Sequence, residues 1–202
     1  MTRNNGSSSH RIVRELNFVR GTQQVIYVAV PLSSGLRLWE VAAEHGLSDP
    51  TQVRRRFRAE YESRVWRPNM EDAHKAFTRA ARLFPEGCII NPAKLSVRGW
   101  SQEQYRRAWK TFISQFVDTV LVSDGWAYSH GCVAEVLHAL KIHLRVVDMA
   151  NRTMSREDVR DELNRARAKA TEMGLHVWFL ARVIKAPKVL IPEHKSEPVS
   201  RF

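Results

Sequence analysis

Glu135 is the residue whose setting most invites chemistry. It lies four residues after Gly131 and next to Val136, Ala139 and Leu140, so a helix through this stretch puts a carboxylate near an apolar face. Such a carboxylate is either paired, with an arginine as the plain partner, or kept for function. Just ahead of it runs Ser123-Asp124-Gly125-Trp126-Ala127-Tyr128-Ser129-His130-Gly131, a strand end followed by a loop and a helix start. Free N–H groups at a helix start suit an anion, and Ser129 can add a hydroxyl. Gly131 allows a ligand close to the backbone, and Trp126 or Tyr128 could stack on a base. His130 neighbours this anion site, although a surface histidine is the plainer reading. The chain's 8 histidines show no metal-ligand spacing such as HxH or HExxH, so no metal is expected. The phosphate-cradling GxxxxGK[ST] motif, the dinucleotide fingerprint GxGxxG and the GxSxG elbow are absent, and no cofactor is expected.

Several elements must position these groups. Short β-branched runs predict strands at Val25–Val30, Cys88–Ile90, Thr119–Val122 and Leu144–Val147, and Val177–Ile184 is either a fifth strand or a docking segment. A helical pattern covers Leu36–Trp66 with a break at Gly46–Pro50, where Asp49 reads as an N-cap and Pro50 as a first helical residue. Pro68 is expected to end that block and Asn69 to cap a helix through Leu83. Ser101 with Gln104 forms a capping box that opens a helix to about Phe116, Ser129–Ile142 is a helix, and Ser155 with Asp158 opens one that Gly174 can end. This alternation predicts an α/β fold: a Rossmann-like three-layer domain over residues 23–186, with a mostly parallel sheet of about five strands and a helical insertion at 36–68. Residues 1–22 read as a flexible basic arm and 187–202 as a loose tail. Ligands of such sheets bind at the carboxyl ends of the strands. The loops that land there are Pro31-Leu32-Ser33-Ser34-Gly35, Asn91–Leu95 and Ser123–Gly131.

Composition bounds the partners. The chain has 202 residues, 44% of them hydrophobic, which suits a globular domain with a core. Two distant cysteines, Cys88 and Cys132, are too few for a disulfide scaffold, so a reducing cytoplasm is the simplest reading. No signal-peptide core and no apolar run long enough to cross a bilayer occurs, so no membrane partner is expected. The net charge of +11 is concentrated in the two ends and in Arg54–Arg67, where six arginines face Glu60 and Glu62. Such a charge serves solubility, binds a polyanion such as nucleic acid, or gathers anionic substrate near a pocket.

The pattern Gly125-Trp126-x-x-Ser129-x-Gly131-x-x-x-Glu135 resembles nucleoside 2-deoxyribosyltransferase-like domains of an uncharacterised branch common in bacteria and their phages. VIYVAVPLSSG at 25–35 is similar to that family's first strand and sugar- or phosphate-facing loop, and MEDAHKAFTRAARLFPEGCIINPAKL at 70–95 to its first helix, second strand and Asn-Pro turn. The resemblance covers about residues 24–148. It implies cleavage or exchange of an N-glycosidic bond in a nucleoside or nucleotide, with Glu135 attacking the anomeric carbon or stabilising its charge. Ser33, Ser34 and Ser129 would hold the sugar or 5′-phosphate, and Asn91 would orient the loop or the base. Pockets of related folds are completed by a neighbouring subunit, so a homo-oligomer is implied, with Trp39 and Trp66 as candidate contacts or core residues.

The chain departs from this family twice. Its hydrolases carry an aspartate about two turns before the one that starts the third strand; counted back from Asp118, that region reads Trp109-Lys110-Thr111. Asp124 is the acid left to substitute. The insertion is the second departure: LWEVAAEHGLSDPTQVRRRFRAEY at 38–61 resembles a helix-turn-helix of the arabinose-regulator type. Arg54, Arg55, Arg56 and Arg58 would then fall on a DNA-reading helix. The alternatives are a helical lid over the pocket and an interaction surface.

Overall fold

A computed structural model describes residues 23–94 and 100–185. The basic arm, the tail and Leu95 lie outside the described residues. The fold is α/β, built on a parallel sheet of four strands: β1 Val25–Ala29, β2 Cys88–Ile90, β3 Thr119–Val122 and β4 Arg145–Val147. Their order is β2-β1-β3-β4. Buried β-branched side chains fill β1 and β3, as a strand covered on both faces requires. The register pairs Tyr27 with Ile90 on one side and with Val120 on the other. From β1 the chain crosses to β2, and from β3 it crosses the other way to β4. The β1 and β3 loops therefore diverge, which leaves a crevice at the switch point.

Alternation along β1 divides the core. Val25, Tyr27 and Ala29 face one side, and Ile26 and Val28 face the other with Ala76 and Ala80. Helix α1 (Leu36–Glu44) buries Leu38, Trp39, Val41 and Ala42 in the first cluster. The expected break follows it. Asp49 accepts from the Thr51 N–H at 2.9 Å and caps a 3-10 turn that opens on Pro50. Helix α2 (Val53–Arg56) is a single turn that ends at Phe57, whose ring stacks on His45 at 3.7 Å, and helix α3 (Arg58–Glu60) opens the helical run that follows. A π-helix spans Tyr61–Trp66, and helix α4 runs Arg67–Leu83.

This last junction corrects the expectation at Pro68. A proline in a helix clashes with the carbonyl four residues back. Here it occupies the start of α4, directly behind the wider π-turn, and the chain stays helical through it. Asn69 is accordingly no cap; it is buried inside the helix with other partners.

Capping boxes open helix α5 (Gln102–Phe116) from Ser101 and helix α7 (Arg156–Glu172) from Ser155. Between them, helix α6 (His130–Lys141) begins after Ser129. Gly174, at φ +67°, ends α7 in the left-handed region that glycine adopts freely. Val177–Ile184, offered above as a fifth strand, forms helix α8 (Trp178–Lys185). It presents Phe179 and Leu180 to the core and leaves Trp178 exposed, the one-sided burial of an amphipathic helix on a surface. The sheet of the described residues therefore has four strands. No described helix is long and apolar enough to cross a membrane.

Candidate active site

Glu135 is half-buried on α6 and turned toward the sheet. Its partner is a phenol: Tyr27 Oη donates to Glu135 Oε1 at 2.8 Å. No described cation pairs with it, so the plain reading, a salt bridge to arginine, does not hold among the described residues. Burial pushes the carboxyl up to about 7, against the opposing pull of the Tyr27 hydrogen bond. Burial and the Glu135 charge hold the Tyr27 hydroxyl well above the ordinary tyrosine range, so it stays a donor. The Trp109 ring leans on Tyr27 at 5.5 Å. It lies in the stretch Trp109-Lys110-Thr111, where the resemblance expects an acid. Asp118 is taken up structurally, with Oδ2 accepting from the Val25 N–H at 2.8 Å where β1 starts.

A second polar pair sits at the start of α6. Ser129, 3% exposed, shares a hydroxyl–hydroxyl hydrogen bond of 2.9 Å with Ser34. Ser129 also hydrogen-bonds Cys132, whose thiol is pushed up by burial and by Glu135 and stays protonated. The loops after β1 and β3 are thus joined through side chains that can form other hydrogen bonds. A Cβ at Gly131 would meet only Ser129 Oγ, at 3.9 Å, so the backbone is open beside this hydroxyl pair.

The loop after β1 is braced from α4. Asn69 Nδ2 donates to the carbonyls of Leu32 at 3.0 Å and Ser34 at 2.8 Å, while its Oδ1 accepts from Arg37 at 2.9 Å. Arg37 also pairs with Asp72 at 2.8 Å. From the other side, Tyr61 Oη donates to the Ser33 carbonyl at 3.3 Å. Gly35, at φ +107°, closes the turn where a Cβ would sit 3.1 Å from Pro31. Asn91 orients its own loop, its Oδ1 accepting from the Ala93 N–H at 2.9 Å.

Not every expected residue converges on Glu135. Trp126 is 4% exposed in the core, so it is not available to stack on a base. Tyr128 packs edge-on against Trp39 at 5.1 Å. Gly125 takes a left-handed φ of +73° and turns the β3 loop. Asp124 is exposed and lines, with Pro31, Gly35 and Gly125, a cleft of about 610 Å³ at the tips of β1 and β3. Ala76 and Met149 form its wall on the face of the sheet opposite Tyr27. Glu135 does not line this cleft, and a ligand reaching both carboxylates would have to lie across the sheet edge. His130 stacks on Phe179 at 5.1 Å and meets Trp178 edge-on at 4.7 Å, so α8 covers the start of α6. Arg54, Arg55, Arg56 and Arg58 are exposed, and Phe57 separates the first three, on α2, from Arg58 at the start of the next helical run, so no one helix carries all four.

Two residues that matter escaped the sequence reading. Tyr27 is the one hydroxyl-bearing ring in the VIYVAV run, and a buried phenol needs a partner. Asn69 read as a cap because it follows a proline. No group of three or more metal-ligating side chains occurs among the described residues. No protein-family model, curated protein or solved structure matches the chain.

Proposed function

We propose that this protein acts on the N-glycosidic bond of a nucleoside or nucleotide, as a hydrolase or a 2-deoxyribosyltransferase. One observation carries the reading: a half-buried carboxylate, held by a phenol and faced by no described cation, with its acid strength moved to about 7. Perturbed carboxyls of this kind mark sites where charge develops during a reaction. As the base departs, the bond from C1′ to nitrogen breaks and its electron pair leaves with the base, which takes up a proton. Positive charge builds on the sugar, and ionised Glu135 meets it with a C1′–O bond or with its field alone. Water or a second base then attacks C1′ and gives up a proton, which balances the one the departing base took from solvent; where a C1′–O bond had formed, it breaks and its electron pair returns to the carboxylate. Tyr27 aims the carboxylate, and the Ser34 and Ser129 hydroxyls offer hydrogen bonds to sugar or 5′-phosphate. A Rossmann-like layering and an oligomer that completes the pocket belong to the same reading.

A binding role without turnover is favoured by one feature. Among the described residues Glu135 has Trp109, and no second acid, beside its Tyr27 partner, and Asp124 lines the cleft on the opposite face. One experiment separates the two. Wild type and Glu135→Gln are incubated with deoxynucleosides and nucleotides, and free base is measured by chromatography. Base release that the substitution abolishes supports the enzyme. Calorimetric binding without product supports the binding module. If neither release nor binding occurs with any compound, both readings fail.

A further inference from the structure

We propose that the insertion binds single-stranded nucleic acid, with Trp66 as a stacking platform and Arg54 and Arg67 against the phosphates. These side chains line a second cleft of about 530 Å³ with Arg58, Tyr61 and Glu62. Glu62 accepts from Arg58 Nε at 2.9 Å, so its charge is already met. Arg64 is likewise taken by Glu44 and Glu60. Arg54, Arg55, Arg56 and Arg67 form no salt bridge with any described residue. Arg54 lies over the Tyr61 ring, 5.8 Å from its centroid, which fixes its direction.

Trp66 is 42% exposed, while Val65 beside it and Tyr61 five residues back are buried. The π-helix brings residues five apart onto one side, so Tyr61 forms the floor of the cleft and Trp66 its rim. An indole offered to water beside unpaired guanidinium groups suits unpaired bases on a phosphate backbone.

Length and charge choose among polyanions. A helix that reads a duplex groove carries its base-reading residues on one continuous face, whereas here Phe57 separates Arg54, Arg55 and Arg56 on the four-residue α2 from Arg58, which opens the helical run through the π-helix into α4. A mononucleotide would leave Arg55 and Arg56, which lie outside the cleft, without a phosphate. A flexible strand meets both the arginines and the ring.

The test uses the full chain and a fluorescently labelled single-stranded oligonucleotide of about 15 nucleotides, followed by anisotropy across a salt series. Arg54→Ala/Arg67→Ala is expected to weaken binding at least about tenfold and to flatten the dependence of log K on log salt by about 0.7 per lost phosphate contact. Trp66→Ala is expected to weaken it by about tenfold, with Trp66→Phe recovering part of the loss. Arg160→Ala/Arg167→Ala on α7 removes the same charge elsewhere and is expected to do little. Glu135→Gln should bind the strand like wild type, so the result does not depend on the glycosidic-bond reading. Circular dichroism confirms that each variant folds. Equal loss from the α7 pair, equal affinity for duplex, or a mononucleotide that binds as tightly as the strand would each overturn the proposal.

Discussion

Two regions meet at the Pro31–Gly35 loop and treat charge in opposite ways. On one side, Glu135 is partly withdrawn from water and answered by a phenol, so its proton is held up to about 7. On the other, the arginines of the insertion stay in water, where exposed ion pairs contribute little and charge remains available to a partner. Ser34 joins the first region through Ser129, and Ser33 joins the second through Tyr61. Burial tunes the reactivity of one charged group at the cost of stability. Exposure leaves the other region sticky but chemically ordinary.

The sharpest way to break this contrast is Glu135→Gln, which should cut base release by on the order of 10³-fold or more in a chromatographic assay. An activity loss below tenfold would mean the carboxylate is not at the reacting centre. Next come the two tryptophans of the insertion. Trp39→Ala empties a site 2% exposed and should cost about 3–5 kcal/mol in denaturant unfolding. Trp66→Ala, at the exposed rim, should stay within about 0.5 kcal/mol.

The acid strength of Glu135 has a stability signature of its own. Its folded value, about 7, lies above the ordinary 4.5, so the folded state keeps a proton that the unfolded chain releases. Stability should therefore fall as pH rises from about 4.5 to about 7, by at most about 3 kcal/mol and less in proportion to the water reaching this group. Glu135→Gln should remove that slope, and thermal melts across pH would show it. Tyr27→Phe deletes the one contact that lowers the value, so the midpoint should move above about 7. A midpoint that moves down would show that the phenol does not donate to the carboxylate.

The loop between the regions gives a smaller effect. Asn69→Ala breaks three partly buried hydrogen bonds and should cost about 2 kcal/mol by calorimetry. Activity should fall with it, because the Leu32 and Ser34 carbonyls lose their brace.

The sequence by itself determined the four strands and the capped helix starts, and it pointed to the segment that carries the candidate site. Those signals are local: β-branched runs such as Thr119–Val122, and the Ser101 and Ser155 capping boxes, act within a few residues. They also sufficed to place Ser129 at the start of the helix that carries Glu135. Three outcomes needed the tertiary structure. Val177–Ile184 is apolar enough for a strand, and only the helical face it packs against the core makes it α8. Pro68 could not be read as helical, because the π-turn that makes room for it is not a local preference. The partner of Glu135 comes from Tyr27, 108 positions away, and Asp124 points to the opposite face of the sheet although it stands eleven residues before Glu135. A side chain's neighbours across a parallel sheet are set by register and by which face each residue takes, and those are decided when the strands pair.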